Sequence, residues 1–266
     1  MKSFALLLLV LGMPGLQSPE TPAPQTSLAP LSPTVTLTPR VAGTIDLTKV
    51  KGLVRRLSWS PDGSELYLQT YDQNKDASVK QLYHYVVSPA NGALTKVAEE
   101  PAWSADYWMW KSWKSAPGDD KFEIQLSSET KRVTATSTPM GGDMARGGTG
   151  GDATGVSMET MGMAANQQQM NDIRTMKLKG EVIGEWINLP IAPGQTFGWG
   201  PTGTGIVAYA DQKGKLILMD KSGSKRKVDD TAGVVLPAWN VDATRLAWLE
   251  SRGKKLYALV VADVAR

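Results

Sequence analysis

Methionine is the residue type placed most unevenly in this sequence: six of the eleven lie in one stretch. Residues 138–172 read TPMGGDMARGGTGGDATGVSMETMGMAANQQQMND and hold Met140, Met144, Met158, Met161, Met163 and Met170. A thioether is a soft ligand that suits Cu(I). Met158-x-x-Met161-x-Met163 would bring three sulfurs around one ion, and the glycines would let the chain wrap it. The stretch has no fixed ligand spacing and few bulky apolar neighbours. It therefore also reads as a low-complexity loop whose methionines are incidental or scavenge oxidants. Gly148-Thr149-Gly150-Gly151 is not a phosphate loop, because no G-K-[ST] follows and no strand feeds it.

The second unusual cluster is aromatic: Tyr107, Trp108, Trp110 and Trp113, with Met109 among them. In an extended strand Trp108 and Trp110 share one face, and Met109 and Trp113 the other. One face would pack inside the fold. The other would stack on a sugar ring or peptide, with Lys111, Lys114 and Asp106 nearby, so Trp108, Trp110 and Trp113 are the candidate ligand-binding residues. Packing of both faces is the alternative.

Composition removes most other chemistry. Cysteine is absent and His84 is the single histidine, which excludes disulfides, thiolate sites, Cys nucleophiles and multi-histidine metal centres. His84 sits in QLYHYVV, where a half-buried histidine satisfied by a neighbour is expected. Neither G-x-S-x-G nor H-E-x-x-H occurs. The paired carboxylates Asp119-Asp120 and Asp229-Asp230 read as solvated turns. Lys+Arg of 29 against Asp+Glu of 26 gives +3, spread along the chain, so a nucleic-acid partner is not expected.

The N-terminus addresses the compartment. Residues 1–18 (MKSFALLLLVLGMPGLQS) carry Lys2, a short apolar run over 4–11 and the break Pro14-Gly15. The run is shorter than the roughly 20 residues that span a bilayer and reads as a secretory signal cleaved near Ser18. No cysteine follows to carry a lipid anchor. Residues 19–40 interleave six prolines with Thr, Ser and Ala and read as a Pro-rich linker. A periplasmic or secreted chain, with no transmembrane segment after cleavage, is expected.

Four tryptophans then recur in matching contexts: Trp59 in LSWSPDGSELYLQTYD, Trp103 in PAWSADYWMWKSWKS, Trp199 in FGWGPTGTGIVAYADQ and Trp239 in PAWNVDATRLAWLESR. A four-residue turn follows each. In Ser60-Pro61-Asp62-Gly63, Pro presets φ, Asp bonds back to the backbone and Gly accepts positive φ. Alternating runs and further turns then make about four short strands per unit, the pattern of a propeller blade. The W-S-P-D-G turn with its alternating strand resembles the TolB-type propeller repeat, over roughly residues 43–266. The resemblance implies an all-β propeller. Propellers of that type usually have six blades, and the spacing here counts fewer. Trp59 and Trp103 are 44 residues apart, Trp199 and Trp239 are 40, and Trp103 and Trp199 are 96. The long interval holds either a degenerate fifth blade or, as favoured here, a Gly/Met-rich insertion at about 117–171. That insertion would begin with a hairpin of 121–126 against 131–136. The last repeat supplies three strands, so 41–49 is expected to close it. The expected domain is a four-bladed (alternatively five-bladed) propeller over 41–266.

A non-catalytic binding or scaffolding protein of the cell envelope follows as the functional expectation, its partner an envelope protein or a small ligand. Two alternatives remain. One is a copper-binding accessory or copper-dependent oxidase-like protein using the Met-rich stretch, which by composition resembles Met-rich loops of exported copper-handling proteins. The other is a carbohydrate-active or hydrolytic propeller.

Overall fold

Short alternating runs separated by Gly-, Asn- and Asp-containing turns have little choice but to pair as antiparallel strands. The computed structural model is accordingly almost all β, and it describes residues 27–74, 79–105, 114–133, 169–187 and 194–266. Its first strand, β1 (Thr36–Asp46), belongs to the last blade. Blade 1 is β2 (Leu53–Trp59), β3 (Leu66–Gln73), β4 (Val79–Val87) and β5 (Leu94–Val97), in that spatial order. Blade 2 begins with a single helical turn, α1 (Ala102–Ala105), and the pair β6 (Ser115–Ala116) and β7 (Asp119–Glu123). It continues as β8 (Gln125–Val133), β9 (Gln169–Leu178) and β10 (Glu181–Ile187). Blade 3 is β11 (Phe197–Trp199), β12 (Ile206–Ala210), β13 (Leu216–Asp220) and β14 (Lys225–Lys227). Blade 4 is β15 (Val234–Trp239), β16 (Arg245–Ser251) and β17 (Leu256–Ala265), with β1 outermost. Among the described residues the blades number four, not five.

The expected closure holds: β1 runs antiparallel to β17 from Thr36↔Ala265 to Asp46↔Leu256. It also starts earlier than 41. Leu31 and Val35 are buried against blades 3 and 4, and the Leu28 and Leu31 amides donate to the Thr202 and Thr204 carbonyls. The packed chain therefore reaches back into the stretch that reads as linker, because apolar residues set among its prolines find a surface to bury on. A second difference concerns 121–136. No hairpin turns there; β8 runs straight through and pairs β9 from Gln125↔Lys177 to Val133↔Gln169. Ser127-Ser128-Glu129-Thr130 holds no Gly, Pro, Asn or Asp to favour a tight turn, and the ladder gives the β8 backbone groups that face β9 their partners. The range 117–171 thus contains blade strands of its own, and Val133 pairs with Gln169.

Each repeat tryptophan fills the junction with the blade before it. Trp59 packs between blades 4 and 1, Trp199 between 2 and 3, and Trp239 between 3 and 4. Trp103 meets the Tyr67 ring of blade 1 edge-on, with centroids 6.2 Å apart. The turn after Trp59 is tied as the sequence suggests. Asp62 accepts from the Ser60 hydroxyl at 2.6 Å and the Ser64 amide at 3.0 Å, and these bonds pull its carboxyl down to about 2. Asp242 repeats the arrangement, accepting from the amide and hydroxyl of Thr244.

The inner strands meet at Gln195, which is 4% exposed. Its Oε1 accepts the Leu57 amide at 3.1 Å and its Nε2 donates to the Pro237 carbonyl at 2.7 Å, while its own amide donates to the Arg55 carbonyl. One side chain thereby joins β2 and β15 and leads into β11. Close approach also explains Gly198 in β11, where a Cβ would lie 2.2 Å from the Pro237 oxygen.

Candidate functional site

Three of the four blade junctions are apolar clusters. The fourth, between blades 1 and 2, is polar among the described residues, and register explains which of them it collects. Across blade 1, Arg56 is opposite Gln69, which is opposite His84; Ser58 is opposite Tyr67; and Leu53 is opposite Tyr71. Side chains alternate along each strand, so these rows share the face turned toward Trp103 and Ser104. The other face of the same strands, with Leu57, Leu66, Leu68 and Tyr85, forms the apolar junction with blade 4.

Arg56 is 2% exposed. It pairs with Glu100, donates to the Ser104 carbonyl at 2.8 Å and hydroxyl at 3.0 Å, and lies over the Tyr67 ring at 4.9 Å. Ser104 donates in turn to Glu100 at 2.9 Å. A buried charge needs such partners, since desolvating it alone would cost several kcal/mol, roughly. Tyr67 is fully buried and its hydroxyl meets His84 Nδ1 at 2.6 Å while accepting from Gln69 Nε2 at 3.0 Å. Burial, then the Glu100 charge, push the Tyr67 phenol up to about 12. His84 is half-buried and satisfied by this neighbour, as expected.

Arg55 differs from Arg56. A bulge between Val54 and Arg56 breaks the β2 register at this residue, and Arg55 is half-buried at the edge of the cluster. No hydrogen bond or ion pair engages its guanidinium among the described residues. Burial, and next the like charge of Arg56, lower its pKa from the ordinary arginine value. Five N–H donors held partly out of water without an acceptor suit a planar carboxylate, which takes two of them at once.

Four blades, four junction tryptophans and a closing N-terminal strand decide the architecture. The described residues form a four-bladed β-propeller. No protein-family model and no curated protein sequence matches it. Among solved structures, this propeller is similar to TolB from Acinetobacter baumannii at 9% identity and a TM-score of 0.24, over 80% of this chain and 43% of that one. It is similar to the Neurospora crassa Pan2 WD40 domain at 6% identity and a TM-score of 0.33, over 89% of this chain and 98% of that one. An oligogalacturonate lyase in complex with manganese is similar at 10% identity and a TM-score of 0.22, over 80% and 49%. The propeller spans under half the length of the TolB chain it matches.

The site residues expected from sequence lie outside the described residues: Trp108, Trp110 and Trp113, and Met140, Met144, Met158, Met161 and Met163. The sequence reading missed the Arg55–Arg56–Tyr67–Gln69 face. Its signal was present in LVRRLSW, where two arginines interrupt an apolar inner strand. It was present again in LYLQTYD, where both faces carry large side chains. Among the described residues, no three His, Asp or Glu side chains gather as a metal site, and no helix is long and apolar enough to cross a membrane.

Proposed function

We propose that this propeller is an exported, non-catalytic binding scaffold of the cell envelope, which holds a protein partner through an acidic group seated on Arg55. The observation that carries the reading is the half-buried Arg55 guanidinium, which no acceptor engages among the described residues, beside the Arg56–Glu100 pair. Export rests on residues 1–18. Exposed Leu53, at 50%, lies two residues before Arg55 and would supply apolar contact beside the charge. A photo-crosslinking residue at Leu53, in cells exporting the full chain, is expected to give discrete adducts that disappear with Arg55→Ala. Adducts indifferent to that substitution would move the partner surface elsewhere.

Copper binding by the Met140–Met163 stretch is a second reading. It draws support from the β8–β9 ladder, which brings the two ends of 134–168 together at Val133↔Gln169 and so lowers the entropy of closing the loop on an ion. Cu(I) titration of the full chain against a form lacking 139–171 tests it: stoichiometric uptake lost on deletion supports the reading, and equal uptake by both removes it.

A further inference from the structure

The opposite face of blade 1 holds a separate feature. Blades 4 and 1 pack tightly at their inner strands, around Leu57, Trp59, Leu236 and Ala238, but toward their outer strands they leave a cavity of about 430 Å³. The volume lies in the range of small-molecule sites. β1 and the turn after it form one wall, and β4 and β5 the other.

Three lysines line it, Lys49, Lys51 and Lys96. None has an acidic partner within ion-pair distance among the described residues. Lys51 and Lys96 each hold their ammonium 5.8 Å from the centre of the Tyr83 ring, so one aromatic ring helps place both charges. Asp46 is the acidic group in the wall. Its Oδ1 is already occupied by the Thr48 hydroxyl at 2.7 Å and amide at 2.8 Å, and these, with the Lys49 charge beyond them, keep its carboxyl below the usual range. Three lysines against one such carboxylate leave the cavity positive.

Tyr85 adds an independent observation. It is 6% exposed and lines the cavity. Its hydroxyl oxygen accepts the Lys51 amide at 3.2 Å, and its own proton has no acceptor among the described residues. A buried donor left unspent costs free energy unless something in the cavity accepts it. Leu94 supplies apolar wall beside it.

We propose that this cavity binds a small soluble phosphate monoester, its phosphoryl oxygens among Lys49, Lys51, Lys96 and the Tyr85 hydroxyl and its organic part against Leu94. Flexible ammonium groups act as point charges and suit a tetrahedral dianion, whereas planar carboxylates are matched better by the arginine fork. The cavity exceeds what a bare phosphate fills, which favours an ester over the inorganic ion. The inference does not depend on the Arg55 reading, since it uses the other face of the blade.

Calorimetric titration of the full chain with phenyl phosphate, at physiological salt, tests it, with benzoate and inorganic phosphate as comparisons. Saturable one-to-one binding is expected, tighter than for either comparison. Lys51→Gln combined with Lys96→Gln should weaken it at least tenfold while leaving the melting temperature nearly unchanged, because both side chains are exposed. Tyr85→Phe should weaken it several-fold. Absence of saturable binding, equal affinity for benzoate, or binding unaltered by the lysine pair would each overturn the proposal.

Discussion

A chain that begins at Leu47 is expected to lose its monomeric fold. The removed residues supply Leu31, Val35, Ala42 and Ile45 to two apolar clusters, and burying a large aliphatic side chain is worth about 1.5–3 kcal/mol. Three such side chains amount to roughly 4.5–9 kcal/mol, comparable with the whole stability of a typical domain. The truncation also bares the edge of β17, whose unpaired backbone groups would seek another strand. Light scattering should show oligomers or aggregate in place of monomer, and the thermal transition should shift far down or vanish. A truncated chain that stays monomeric and melts within a few degrees of the full one would show that β1 is dispensable. A milder probe of the same contact is Gly92→Ala in the β4–β5 turn. Gly92 has φ +69°, and a Cβ there would sit 2.6 Å from Gly43 Cα in β1, so the substitution should loosen β1 without removing it.

Gln195→Ala is expected to have the largest effect of any single polar substitution. It strips partners from the Leu57 amide and the Pro237 carbonyl, both in inner strands and both bonded by one buried side chain. Orphaned buried groups cost about 1–3 kcal/mol each, so a loss of roughly 2–6 kcal/mol is expected in denaturant unfolding. Gln195→Glu separates hydrogen bonding from size. Ionised, the new carboxylate would face the Pro237 oxygen with no donor and would sit buried without a counter-charge; protonated, it would restore both bonds. Burial raises such a folded-state pKa above the unfolded value of about 4.3. The variant should therefore be most stable below that value and lose stability as pH rises through its raised folded-state pKa. A pH-independent loss would mean that water or a shifted backbone replaces the side chain.

Local pattern alone made much of this fold legible. The tryptophan contexts, the S-P-D-G and G-P-T-G turns and the period-two strands specify blades, because turn chemistry and alternation act within a few residues. The three-stranded last repeat likewise pointed to an N-terminal closing strand, since a missing outer strand leaves an edge that must be covered. Tertiary structure decided the rest. Whether 125–133 turns back on itself or continues depends on β9, some forty residues downstream, offering a partner. Leu31 and Val35 look like linker residues until blades 3 and 4 provide a surface. The polar face of Arg56, Tyr67, Gln69 and His84 exists only through registers between three strands, and Arg55 stands out only because no acceptor engages its guanidinium among the described residues. The Gln195 bridge joins strands whose sequence separation exceeds a hundred residues, and no local rule reaches that far: hydrogen-bond satisfaction is settled by what the whole chain brings into contact.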